Sequence, residues 1–452
     1  MTAKDFGFLP HDPEKADQAT KLWVVTKEAA SAALEAHHAT KLAHLSGFEG
    51  ELGTILPTEE GVFVGAGDGE DGLMLGSAAA RLPKGDYVLR GHPAGVDPTL
   101  MALGWAMGAY RYDHYKTMPE VPTLILNEDV DQAALKRHIE AVHLVRDLIN
   151  TPAEDMGPDA LERAAREVAA QQGATVEVIE GEALEEGFPL IHAVGRAASQ
   201  APRLVNIRWG PSDGRPVTLV GKGVCFDSGG LNIKGGNSMA LMKKDMGGAA
   251  NVLGLAQMIM AANLPLQLRV LLPIVENAIS GNAFRPGDVF PSRAGLTVEI
   301  SNTDAEGRLI LADALAYAAE ENPSQIITMA TLTGAARVAL GPDLSPLYTT
   351  DEAFGEKVVG MGPFMADPIW PMPLWARYDS YLKSDIADVN HAASTPFAGS
   401  ITAALFLKHF VPAEISYTHF DIYAWVPTAR PGRPKGGDAM GIRALFAALA
   451  SG

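Results

Sequence analysis

Residues 301–315 read SNTDAEGRLILADAL. Asp304, Glu306 and Arg308 occupy alternate positions, and an apolar run of helical character follows at once. Alternate residues of a strand face one side, so a strand running on through Arg308 would aim both acids and the guanidinium the same way. A plainer reading puts Asp304 and Glu306 near the first turn of a helix over about 309–322, where the helix dipole favours acids. Either way, charge gathers where one element gives way to another.

Around this junction, strand-like and helix-like runs alternate. TVEVIE (175–180), LVNIRW (204–209), PVTLVGKG (216–223), LQLRVLLPIV (266–275), LTVEIS (296–301) and QIITMATLT (325–333) read as strands. MALMKKDMGGAANVLGLAQMIMAA (239–262) and LILADALAYAAEE (309–321) read as helices. Near-continuous apolar strands between helices imply a sheet covered on both faces, with sites at strand ends. Upstream, QAALKRHIEAVHLVRDLIN (132–150) repeats Leu135, Ile139, Val142, Val145 and Ile149 at helical spacing, a long amphipathic helix. A Pro/Gly-marked break follows, then a new helix from about 158. Residues 1 to about 125 form a separate α/β region, with EAASAALEAHHATKLAHL (28–45) helical and GVFVGAG (61–67) and DYVLRG (86–91) extended. The acidic stretch GAGDGEDG (65–72) lacks EF-hand spacing, and Glu70 stands where a dinucleotide fingerprint needs glycine; a surface turn is expected.

The chain has 452 residues, of which 47% are apolar and 20% charged, a globular composition large enough for two or three domains. Lys plus Arg number 36 against 54 Asp plus Glu, a formal charge of −18. No basic stripe is present to neutralise phosphates, so nucleic-acid binding is not expected. Cys225 is the one cysteine, which excludes an intrachain disulfide and fits a reducing compartment. The opening residues lack a basic-then-apolar leader, no apolar run reaches the ~20 residues of a membrane span, and a cytoplasmic location is expected.

Three glycine-rich segments carry the candidate chemistry: VTLVGKGVCFDSGGLNIKGG (217–236) with Lys222, Asp227 and Lys234, MKKDMGGAA (242–250) with Asp245, and NTDAEGRL (302–309). The four acids lie in stretches that otherwise read as buried, and buried carboxylates without partners are costly. Lysines, helix N-terminal amides or metal ions could satisfy them. Converging carboxylates repel unless cations bridge them, and oxygen donors suit magnesium, manganese or zinc. Histidine is absent from all three segments; His37, His38 and His44 form no His-Glu-x-x-His pattern, which excludes that type of zinc protease. Lys222 precedes Gly223 and Val224, not the Ser/Thr of a phosphate loop. A lysine among acids can be a salt-bridge partner, an electrophile or a neutral metal ligand, and spacing does not choose.

VGKGVCFDSGGLNIK, MKKDMGGAA and NTDAEGRL, together with NTPAEDMGP, TLTGA and THFDIYAW, resemble the leucyl aminopeptidase (cytosol aminopeptidase) family of two-metal exopeptidases over about residues 143–450. The resemblance implies a smaller N-terminal α/β domain (1–130), a connecting helix (131–150) and a larger catalytic α/β domain (151–452) with a mixed central sheet covered by helices. It implies two divalent metal ions, Zn2+ or Mn2+. Lys222, Asp227, Asp245 and Glu306 would hold the tighter one; Asp227, Asp304 and Glu306 would hold the more exchangeable one. Lys234 would polarise the scissile carbonyl, and Arg308 would hold a bicarbonate that serves as general base to a metal-bridging hydroxide. Met242, Asn302, Thr331, Leu332 and Gly334 would bind substrate, a peptide with a free N-terminus. His391 would lie in a loop near the site. After THFDI the family usually has small residues, whereas this chain has Tyr423, Ala424 and Trp425. A homohexamer, built as a dimer of trimers, is also implied. A di-metal amidase or esterase, and a scaffold or DNA-binding role beside peptidase activity, are the alternatives.

Overall fold

The computed structural model describes residues 3–451. The chain divides into two compact units. The first runs up to His143 and takes in Phe364–Ala366 and Val426–Gly436; the second comprises Leu144–Pro363, Asp367–Trp425 and the chain from Gly437 onward. The division falls inside helix Gln132–Asn150, whose Leu135, Ile139, Val142, Val145 and Ile149 are all buried, as their spacing requires.

The first unit is a six-stranded sheet of β1 (Phe8–Leu9), β2 (Thr20–Val25), β3 (Ile55–Pro57), β4 (Val62–Gly65), β5 (Asp86–Gly91) and β6 (Thr123–Ile125), ordered β1-β6-β5-β2-β4-β3. All neighbours are parallel except β3 and β4. The run 28–45 forms two helices, Lys27–Ala36 and Thr40–Ser46, because His38 takes a left-handed conformation (φ 53°) between them. The acidic glycine stretch is a turn, as expected, with the Asp68 side chain accepting from Glu70 N at 3.1 Å.

The second unit carries β7 (Thr175–Glu180), β8 (Arg203–Trp209), β9 (Arg215–Gly221), β10 (Gly223–Asp227) and β11 (Leu266–Asn277). β12 (Val289–Pro291) and β13 (Thr297–Glu299) follow, then β14 (Gln325–Ala330), β15 (Ser345–Thr349), β16 (Ile369–Pro371), β17 (Val389–Asn390) and β18 (Ser416–Asp421). The main sheet runs β16-β15-β18-β14-β9-β11-β8-β7, with β10 paired to β11, while β12, β13 and β17 form a small sheet of their own. The main sheet is mixed. Its centre, β10, β11, β9, β14 and β18, is mutually parallel, so the carboxyl ends of these strands share one edge. Lys222 follows β9, Asp227 ends β10, Asn277 ends β11, Thr331 follows β14 and Asp421 ends β18.

Helices Gly247–Ala261 and Glu306–Ala319 are buried over almost their whole length, which explains why both are apolar on every face. The first approaches the sheet through glycine. A Cβ on Gly221 would lie 2.7 Å from Ala249 Cα, and one on Gly248 would lie 2.3 Å from Met329 O and 2.8 Å from Ala330 Cα. Both obstructions are backbone, so neither can swing aside.

The strand reading of 301–308 is corrected. The strand ends at Glu299, Thr303–Ala305 is a 3-10 turn, and the helix begins at Glu306. Asn302 causes the change: its side chain accepts from Asp304 N at 3.0 Å and winds the backbone early. Among the described residues no helix is long and apolar enough to cross a membrane.

Gly248→Ala is expected to destabilise the protein by about 1–3 kcal/mol through overpacking against backbone. A denaturant midpoint equal to wild type would show that the helix does not need this approach.

Candidate metal centre

Six charged side chains meet near the shared strand edge. Asp227 stands at the end of β10, where its Oδ1 accepts from Gly229 N at 2.9 Å and from Asn277 Nδ2 at 2.8 Å. Asp245 lies in the 3-10 turn Met242–Met246 before the buried helix, and its Oδ1 accepts from Thr331 Oγ1 at 2.8 Å. Glu306 opens its own helix. One oxygen from each of these three acids lies within 4.8 Å of the others, and all three residues are buried.

The lysines lie among these acids. Lys222 Nζ is 2.7 Å from Asp245 Oδ2 and 3.0 Å from Glu306 Oε1, and donates to Thr331 O at 3.1 Å. Lys234 Nζ is 2.8 Å from Asp227 Oδ2 and pairs with Asp304 as well. Asp304 is partly exposed, unlike the other three acids.

Neutralisation is incomplete. Four carboxylates face two ammonium groups; Glu306 Oε1 meets only Lys222, and its Oε2 has no partner among the described residues. Burial and then Asp227 push the Glu306 carboxyl up to about 8. Burial and Asp245 raise Asp227 too, while Asp245 is held low by Lys222 and Lys244 against its own burial. Burial would lower the Lys222 ammonium, but Asp245, Glu306 and Asp227 outweigh it and raise the group. A buried cluster of oxygen donors with orphaned lone pairs, plus one amine, is a donor set that fits hard divalent cations.

Two residues beyond Glu306, buried Arg308 donates Nη1 to His391 O at 2.7 Å, while its Nε finds no partner among the described residues. His391 is itself buried. Its Nε2 lies 2.8 Å from Asn302 O, and its Nδ1 lies 3.1 Å from Glu299 O and 3.3 Å from Ser301 N; burial, with Arg308 beside it, keeps the ring neutral by holding its pKa at about 3.

A cavity of about 650 Å³ opens beside the cluster, lined by Lys222, Asp227, Lys234, Asp245 and Asp304. Met242, Thr331, Leu332 and Gly334 also line it, but Asn302 and Arg308 do not. Asn302 serves instead as the cap already described. Of the bulky pair singled out from the sequence, Tyr423 lines the cavity and Trp425 does not.

Residues 143–446 match the cytosol aminopeptidase family, catalytic domain, and residues 16–126 match the M17 aminopeptidase, N-terminal domain. The chain belongs to the cytosol aminopeptidase family. A relative from Syntrophotalea carbinolica is 38% identical over 431 residues, which is 88% of this chain and 86% of that protein. One from Geobacter sulfurreducens is 38% identical over 421 residues, 86% and 84%. Both bear the description "Probable cytosol aminopeptidase". The crystal structure of the cytosol aminopeptidase from Coxiella burnetii superposes with a TM-score of 0.93 at 42% identity, covering 99% of each chain. The bottromycin maturation enzyme BotP, in complex with Mn, gives a TM-score of 0.84 at 32% identity over 91% of this chain and 96% of its own. As a member of the family, this chain is a metal-dependent aminopeptidase, a hydrolase acting on peptide bonds.

Several positioning residues of this cytosol aminopeptidase fold escape a sequence reading. Asn277 holds Asp227 and also donates to Thr303 O at 3.1 Å. Thr303 and Asn232 clasp each other, Thr303 N to Asn232 Oδ1 at 2.8 Å and Asn232 N to Thr303 Oγ1 at 2.8 Å. The clasp ties the Lys234 loop to the turn bearing Asp304. Asp421 accepts from Leu332 N and Thr333 N at 2.9 Å each and from Thr333 Oγ1 at 2.6 Å, fixing the cavity wall after β14. Only its place at a strand end marks Asn277 in the sequence.

Gly307 packs where a Cβ would lie 2.4 Å from Lys222 Cε and 2.7 Å from its Nζ. Gly307→Ala is therefore expected to fold with near wild-type melting, since a side-chain end can move, yet to lose about tenfold or more in kcat/KM on leucine amide as the amine leaves the acids. Unchanged kinetics would show that the position of Lys222 is unimportant.

Proposed function

We propose that the chain is a two-metal aminopeptidase in which Lys222, Asp227, Asp245 and Glu306 hold one divalent ion and Asp227, Asp304 and Glu306 a second. The observation that carries this is the convergence of oxygens from Asp227, Asp245 and Glu306 within 4.8 Å, with Glu306 Oε2 left without a partner among the described residues. Zinc and manganese both suit the donors, and BotP's complex with Mn supports manganese as one occupant. Such an ion pair, when bound, supplies a water acidic enough to act as nucleophile near neutral pH and a Lewis acid for the carbonyl.

The protein's own groups do the rest. Lys222 would act as the neutral amine, releasing its proton when the site fills. Lys234 Nζ, an ammonium lining the cavity, donates to the carbonyl oxygen as it becomes an oxyanion. The unpartnered Nε–H of Arg308 suits a small planar oxyanion; Arg308 would hold a bicarbonate there, which when bound would supply a general base. Met242, Thr331, Leu332 and Gly334 would receive the first side chain, with Asn302 shaping the turn behind the acids. The substrate's free α-amine would be read at the tighter metal position, which confines cleavage to the N-terminus. A cytoplasmic homohexamer, a dimer of trimers, is the working assembly; a monomer by light scattering would contradict it.

Leucine amide is expected to be cleaved and N-acetyl-leucine amide not; equal turnover of both would favour a di-metal amidase. Glu306→Gln should lower bound metal and cut turnover by about 10³-fold or more while the melting curve stays cooperative. Full metal content with wild-type rates would remove Glu306 from the site. Arg308→Ala is expected to slow hydrolysis about a hundredfold, with partial recovery in added bicarbonate. Kinetics identical to wild type would discard the anion.

A further inference from the structure

The cavity carries a second group of charges that the catalytic reading leaves unused. Lys244 stands one residue before Asp245, is 6% exposed and lines the cavity. Its Nζ makes no hydrogen bond or ion pair among the described residues; it lies 5.3 Å from the centre of the Tyr423 ring. Arg337, on helix Gly334–Leu340, also lines the cavity and places its guanidinium 5.0 Å from the same ring, again with no carboxylate in ion-pair range. The acids nearby are engaged. Asp421 is filled by two amides and the Thr333 hydroxyl, and Asp245 by Lys222 and Thr331.

The Lys244 ammonium therefore opens on the cavity with a ring as its direct contact, feeling Asp245 and Asp421 only from beyond ion-pair range. Buried Lys244 and exposed Arg337 meet on one ring, in the wall formed by the residues proposed to receive the first side chain of the substrate.

We infer that this pocket selects an N-terminal residue bearing a carboxylate, glutamate or aspartate, which pairs with Lys244 and is flanked by Arg337. The inference rests on the aminopeptidase reading and names its substrate class. Met242 and Leu332, apolar and in the same wall, face the methylene stem. A leucine side chain would fill the space yet leave Lys244 buried and unpaired, and discrimination is strongest where a polar group goes unsatisfied. A basic first residue would meet two like charges.

Aminoacyl amides of glutamate, aspartate, leucine and lysine should be assayed with the metal-loaded wild type, Lys244→Met and Arg337→Gln, with melting curves for each. The wild type is expected to favour glutamate or aspartate over leucine by about tenfold or more in kcat/KM. Lys244→Met should lower that ratio at least tenfold, and exposed Arg337→Gln severalfold. Calorimetry on the loaded protein should show L-glutamate binding more tightly than L-leucine, the difference vanishing in Lys244→Met. If leucine amide is preferred and neither variant shifts the ratio, this inference fails and the aminopeptidase reading stands. If no amide is cleaved by the wild type, both fail. Should Lys244→Met melt early, the Arg337→Gln ratio and the two wild-type affinities still decide.

Discussion

Ionised carboxylates resist being buried side by side, and the second unit is arranged around meeting that cost. Asp245 lies 18 residues after Asp227 and Glu306 a further 61 along, yet oxygens from all three lie within 4.8 Å. In a low-dielectric interior such a group persists only beside cations. Lys222 and Lys234 answer part of the charge by reaching into the acids, and Glu306 Oε2, without a partner among the described residues, marks what they leave over. The deficit is the chemistry: a site that the protein's own lysines do not neutralise offers a donor set that suits divalent ions.

Bringing the acids together is the work of the parallel strands. Five of them end on one edge, so residues just past those ends become neighbours whatever their distance in sequence. Close backbone approach at Gly221 and Gly248 seats the helix after Asp245, and Gly307 leaves room for the Lys222 side chain. Neutral polar groups then set the orientation. Asn277 aims Asp227, the Asn232–Thr303 clasp joins two loops, and His391, neutral through burial, holds Arg308 by its carbonyl. Uncharged partners suit this role because they orient without adding charge to a crowded centre.

The cavity wall follows a different logic. On the side of the acids, negative groups exceed positive ones; on the Tyr423 side, two cations lack acids. Opposed charge imbalances across one cavity suit a substrate bearing an amine at one point and a carboxylate at another, a pattern that apolar pockets do not make.

Much of this was legible in the chain. Helix 132–150 followed from its apolar period, the covered sheet from its apolar strands, and the acids, lysines and arginine from three glycine-rich segments. The family likeness rested on the same motifs. Residues 301–308 were less legible, because alternation of charge is shared by a strand and by a capped turn. The Asn302 side chain decided for the turn. His38 broke a helix that periodicity ran through, since backbone handedness leaves no mark on apolar spacing. The amino-acid sequence by itself determined which side chains could carry chemistry, since residue type sets charge and donor atoms. Tertiary structure alone decided which of them meet and which are left without partners. Lys244 and Asp245 are adjacent in the chain, yet one ammonium has a ring as its direct contact while the carboxylate beside it joins the acids, a difference set by what other elements bring near.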